Sequence, residues 1–286
     1  MGKLRDKMVR DLELRNYSHS TIRNYLACAR NFAGHYMQSP ENMGRQEVCS
    51  FLLHLKQSSG DASHKLHLAA LKFLYRHTLG RSEEVDNIPW PKVKRPLPDV
   101  LSGSEVDALL KAVRSIKHRA IFMCAYGAGM RIGEVCSLKT ADIDAKRKLI
   151  HIRDAKGGQD RYVMTSERLL SCLREYYKQV RPQGVYLFPG RNPGAFICAD
   201  PVRRVLKKAA IEAGIARRVH PHMLRHTFAT DLYRETGNIR LVQKALGHSD
   251  LSTTMLYTHV YDREVRNAMR ALRPRSTDSG IGLATQ

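Results

Sequence analysis

Paired cysteines are missing from this chain: Cys28, Cys49, Cys124, Cys136, Cys172 and Cys198 lie far apart, with no C-x-x-C pair among them. They read as buried core thiols in a reducing compartment, which excludes a disulfide scaffold or a thiolate metal knuckle. Long apolar runs are missing as well. The longest, AIFMCAYGAGM from Ala120 to Met130, is too short to cross a bilayer, and MGKLRDKMVRDLELR has no signal-peptide h-region. The expected location is the cytoplasm, with no membrane partner. No internal repeat is visible. Negative charge is scarce: 27 acidic residues face 48 lysines and arginines, a formal charge of +21 over 286 residues. Such an imbalance favours a polyanionic partner, with nucleic acid ahead of the heparin-like, ribosomal or membrane-surface alternatives. The basic residues are spread along the whole chain, so DNA is expected to touch both halves.

Helical apolar spacing dominates what is present. Leu4, Met8 and Leu12 form one stripe; Ile22, Tyr25, Leu26, Ala29, Phe32, Ala33 and Tyr36 a second; Val48, Phe51, Leu52 and Leu55 a third; Leu66, Ala69, Ala70, Phe73 and Leu74 a fourth. Ser18 or Ser20 can cap the second helix. Four such helices make a plausible small domain over residues 1–85. Residues 86–98, DNIPWPKVKRPLP, carry four prolines and three basic residues, a pattern expected to be extended and semi-rigid. This stretch is the predicted linker, serving either as a plain spacer or as a basic strap along DNA. Beyond it, Ser102 and Glu105 stand at capping-box spacing ahead of a helix. His118 to Leu138 reads as a buried helix interrupted around Gly127 to Met130. Residues 147–164 alternate on both sides of a KGG turn, which predicts a β-hairpin with Lys156 at its tip. Arg168 to Val180 and Asp200 to Ala213 read as further helices, and helix resumes from His220 with breaks at Gly237-Asn238 and Gly247. The expected fold class is mainly α with a small β-sheet. The tail 276–286 is small and polar.

Six side chains carry the chemistry: Arg131 in AGMRIGEVCSL, Lys156 in DAKGGQD, His222 and Arg225 in HPHMLRHTFAT, His248 and Tyr257 in LGHSDLSTTMLYTHV. Two guanidiniums, an ammonium, two imidazoles and a phenol suffice to hold a phosphodiester, attack it with oxygen and manage the protons. Each has a bland reading too. Arg131 has Glu134 as a helical neighbour for an ion pair, Lys156 sits among Lys139, Lys146 and Lys148, and His248 could simply cap a helix end. Tyr257 is one of twelve tyrosines, with Tyr233 and Tyr261 nearby. A zinc reading of His222 and His226 fails because Met223 stands where a metalloprotease helix needs glutamate. His226 is expected to be structural.

The boxes G-x-R-I-G-E-x-x-x-L, H-x-L-R-H-T-F-A-T and L-G-H-S with a tyrosine nine residues after the histidine resemble those of the tyrosine recombinase (phage integrase) family, near its Xer-like and transposon or integron-type members. The resemblance covers nearly the full length, although the N-terminal half matches only in size, helicity and placement. It implies a helical core-binding domain (residues 1–85), the linker (86–98), a catalytic domain (99–275) and a polar tail, closing as a C-shaped clamp on DNA. It further implies that Arg131, Arg225 and His248 bind the scissile phosphate, His222 handles a proton, and a lysine on a hairpin turn, here Lys156, reaches the scissile bond. Tyr257 would be the nucleophile, forming a 3′-phosphotyrosyl link. No cofactor, metal or nucleotide is then expected. The implied partners are a double-stranded recombination site with inverted repeats and other copies of the chain, in a tetramer that exchanges strands through a Holliday junction, held by a helix after Tyr257. A type IB topoisomerase-like activity and a DNA-binding regulator with a degenerate site are the alternatives. The DAKGGQD turn departs slightly from the commoner G-K-G form.

Overall fold

The computed structural model describes residues 2–91, 98–155 and 159–247. The chain divides into two compact units, Met1–Arg95 and Pro96–Gln286. Among the described residues it is mainly helical, with one small sheet.

The first unit holds α1 (Gly2–Glu13), α2 (His19–Tyr36), α3 (Arg45–Ser58) and α4 (Asp61–Phe73), the last continued by a widened π-helical segment, Leu74–Leu79. Ser18 starts α2, its Oγ accepting the Thr21 amide at 3.2 Å. Three of the four expected stripes face inward, led by Met8, Leu12, Phe32, Val48 and Phe51. The fourth does so only in part, with Ala70, Phe73 and Leu74 buried as expected. Leu66 is 38% exposed and Ala69 only half-buried, while His67, Leu68 and Leu71 are inside. Helix α4 packs against both α2 and α3, so its buried arc is wide, and a stripe chosen from the apolar residues of KLHLAALKFL alone has no unique phase. Tyr75 is fully buried with its hydroxyl donating to the carbonyls of Pro40 and Met43, at 3.2 and 3.1 Å, so the buried polar tip is satisfied. Val85 and Ile88 also pack into this core.

The second unit begins with α5 (Gly103–Ala112), whose capping box forms as the sequence suggests: Ser102 Oγ accepts the Glu105 amide at 3.2 Å and the Glu105 carboxylate accepts the Ser102 amide at 2.7 Å. Helix α6 (Ile116–Gly127) is central, packing on α8 (Glu167–Val180) and on α10 (Pro221–Thr236). Ala120 through Ala125 are all buried, so no polar stripe is possible there. The expected interruption follows α6, and the chain re-enters helix as α7 (Ile132–Cys136). Gly129 makes the turn with φ +60, and a β-carbon on it would lie 2.5 Å from the Phe228 ring. The predicted hairpin is β2 (Leu149–Ala155) with β3 (Gln159–Met164), antiparallel, and β1 (Ile143–Asp144) adds a third strand in the order β1-β2-β3. Ile150, Ile152 and Val163 face the core, while His151 and Tyr162 stack outside with ring centres 4.7 Å apart.

Helix α9 (Ala199–Glu212) begins at Cys198, which is exposed. This corrects the expectation of six core thiols: Cys28, Cys124 and Cys136 are buried, Cys49 and Cys172 are partly so, and Cys198 lies outside because a helix N-cap faces the loop rather than the packed side. Helix α10 starts with His220 as cap and Pro221 in its first turn, then ends at Gly237. Asn238 opens α11 (Ile239–Leu246), accepting the amides of Arg240 and Leu241, and Gly247 closes it at φ +63.

Candidate active site

The first arginine box builds its site around a helix start. Arg131 is the N-cap of α7, with an extended backbone that turns the following residues into the helix. Glu134, in the first turn, accepts the Arg131 amide at 2.8 Å and its Nη1 at 2.9 Å, the ion pair that spacing alone suggested. A third member arrives from β3: Arg161 donates Nη1 and Nη2 to the two oxygens of the same carboxylate, at 2.9 and 2.8 Å. The Glu134 side chain is 9% exposed, Arg161 13% and Arg131 25%. Burial alone would raise the Glu134 pKa. The Arg161 hydrogen bonds and the Arg131 amide outweigh it and hold the carboxyl below its ordinary value. One carboxylate between two guanidiniums leaves the cluster cationic, with the more exposed cation, Arg131, on its outer side.

The second box brings a distant segment to the same place. Arg225 on α10 is 3% exposed. Its Nη1 donates to the carbonyl of Gly129 and its Nη2 to that of Leu246 at 2.8 Å. A carbonyl satisfies a guanidinium donor without cancelling its charge, so these bonds fix the side chain while keeping it a cation. They also fasten two turns together: the one leading into Arg131, and the one at the end of α11 that precedes His248 in the chain. His222, one turn before Arg225, is exposed. Its pKa is lowered by partial desolvation first, then by the positive charges of His220, Arg225, Arg131 and Arg203. Near neutral pH the imidazole is therefore mainly unprotonated and able to take a proton. His226, half-buried one further turn along, is pushed down to about 4, by burial and then by its basic neighbours. Among the described residues no group of three His, Cys, Asp or Glu side chains could hold a metal ion.

Lys156, His248 and Tyr257 lie outside the described residues. Tyr233, a competing phenol in the sequence, packs in a small apolar cluster with Ala229, Val242 and Leu246; Tyr261 lies outside the described residues. Sequence reasoning missed Arg161. The signal was available in the alternation of β3, where Arg161 shares the inward side with buried Val163, a place where a charge needs a partner.

The phage integrase family model matches residues 99–264, and the model for the N-terminal SAM-like domain of phage integrases matches residues 4–84. Tyrosine recombinase XerA of Thermococcus onnurineus (strain NA1) is 35% identical over 267 residues, covering 92% of each chain. A crystal structure of XerA recombinase aligns with a TM-score of 0.55 at 29% identity, covering 96% of this chain and 99% of that one. A lambda integrase tetramer bound to a Holliday junction shares the fold, with a TM-score of 0.73 at 18% identity over 90% of this chain and 76% of that one. The chain belongs to the phage integrase family and is a tyrosine site-specific recombinase.

Proposed function

We propose that this recombinase cleaves and rejoins DNA through a 3′-phosphotyrosyl intermediate on Tyr257. The observation that carries this reading is Arg225, whose guanidinium is buried on α10 and bonded to the Gly129 carbonyl two residues before Arg131 and to the Leu246 carbonyl two residues before His248. Arg131 and Arg225 then clamp the non-bridging oxygens of the scissile phosphate and stabilise the charge that grows on the pentacoordinate transition state, and His248 adds a hydrogen bond. A phenol is a poor nucleophile at neutral pH because its reference pKa is about 10, so it must lose its proton as it attacks; neutral His222 is the acceptor. The bond from phosphorus to the 5′-oxygen breaks as the bond to the tyrosine oxygen forms, and Lys156 protonates the departing oxygen. Attack by a 5′-hydroxyl from another strand reverses the step and releases Tyr257. Each phosphodiester lost is replaced by a phosphotyrosine ester, so the chemistry itself consumes no nucleotide or other energy source.

On this reading residues 1–85 form the core-binding domain, 86–98 the linker, 99–275 the catalytic domain and 276–286 a tail. The two domains close as a clamp on a recombination site with inverted repeats, and four copies exchange strands through a Holliday junction, joined by the helix after Tyr257. The lambda integrase tetramer on its junction supports that assembly by its fold.

The test is covalent trapping on a suicide duplex built from the recombination site. A wild-type adduct mapping to Tyr257 is expected, and Tyr257→Phe is expected to abolish it while DNA affinity stays within about threefold. An adduct on another residue overturns the assignment. Relaxation of supercoiled DNA by a monomer, without strand exchange, would make the protein a topoisomerase instead.

A further inference from the structure

We propose that Arg161 is a positioning residue for strand cleavage: it occupies the Glu134 carboxylate so that this carboxylate orients Arg131 without capturing it, and it sets the backbone next to His248. The inference rests on the reading of Arg131 as a phosphate ligand.

Glu134 has two oxygens and two guanidinium suitors. Arg161 meets both oxygens with both terminal nitrogens, at 2.9 and 2.8 Å, a bidentate pair held on a strand. Arg131 reaches the carboxylate with Nη1 alone among the described contacts, at 2.9 Å, plus its own backbone amide. Without Arg161 the vacated lone pairs would draw Arg131 into the bidentate pairing, and the guanidinium meant for phosphate would turn towards its own helix. The net charge of the cluster would also drop by one. Arg161 itself is badly placed to bind phosphate: its side chain is mostly covered and both Nη atoms are committed to Glu134.

Gly247 supplies the second observation. A β-carbon there would collide with Arg161 Cδ and come within 2.6 Å of Nε. The stem of Arg161 thus fills the space over the residue that precedes His248. One side chain from the sheet touches both the carboxylate behind Arg131 and the turn at the end of α11, which Arg225 also holds through Leu246.

The experiment measures single-turnover adduct formation on the suicide duplex, with DNA affinity by anisotropy and thermal melting in the same buffer, for wild type, Arg161→Met, Arg161→Lys, Glu134→Gln and the double variant Arg161→Met/Glu134→Gln. Arg161→Met keeps the stem and should slow cleavage about thirtyfold with DNA affinity changed less than about threefold, a size in keeping with a misaligned catalytic group. Arg161→Lys, which keeps the charge, should recover most of that loss. The double variant should be faster than Arg161→Met, because the carboxylate charge that captures Arg131 is gone; losses of packing alone would compound instead. If Arg161→Met does not fold, Arg161→Gln with and without Glu134→Gln makes the same comparison. Cleavage by Arg161→Met at the wild-type rate, a double variant slower than either single one, or a loss wholly in DNA affinity overturns the proposal. A wild-type protein that forms no adduct overturns the phosphotyrosine reading itself, a failure the variants do not mimic.

Discussion

Gly129 and Arg225 show how tightly single residues hold the active site. Gly129 combines a left-handed backbone with a ring pressed against its α-carbon and a carbonyl that receives Arg225. Gly129→Ala should therefore cost about 2–3 kcal/mol in urea unfolding, from backbone strain plus overpacking against Phe228, and should slow cleavage further by shifting Arg131. His226 makes a pH prediction with a definite sign. Its folded pKa of about 4 lies below the ordinary 6.5. The unfolded chain therefore takes up this proton first, so its contribution is intact above pH 6.5, declines as pH falls, and levels off below pH 4. The loss is at most about 3 kcal/mol, from the size of the shift. His226→Asn removes this titration, so the stability gap between wild type and variant should narrow between pH 7 and pH 5; a gap independent of pH would reject the assignment.

Elements are set by caps and breaks as much as by apolar periodicity. Helix α11 has only eight residues, too few to persist by propensity alone, and is held by Asn238 at one end and Gly247 at the other. Asn238→Ala removes the acceptor of two backbone amides and should cost about 1 kcal/mol by thermal or urea melting. Because Leu246 is a partner of Arg225, fraying of α11 should also slow adduct formation. The hairpin has a comparable double use: its outward side stacks His151 on Tyr162, and its inward side carries Arg161 to Glu134. One strand thereby contributes to the sheet and to the proposed phosphate site.

The whole molecule carries a formal charge of +21, and its binding to DNA should be dominated by counterion release. Raising salt from about 50 to 200 mM should weaken DNA binding roughly a thousandfold in anisotropy titrations, and a flat salt response would contradict a phosphate-led interface. Much of this protein was legible along the chain. The capping box at Ser102 and Glu105, the interruption at Gly127 to Met130, the β-hairpin and the arginine boxes all depend on short spacings, which backbone geometry converts directly into local structure. Other features were not legible. The phase of α4 depends on helices packing from two sides, and the exposure of Cys198 depends on which way a helix start faces. Local sequence thus determined the elements and the strongly basic character. Only tertiary packing decided that Arg225 should hold the turns before Arg131 and His248, and that Arg161 should share Glu134 with Arg131, because a contact between residues tens of positions apart comes from how helices and strands stack around one core, which no periodicity encodes.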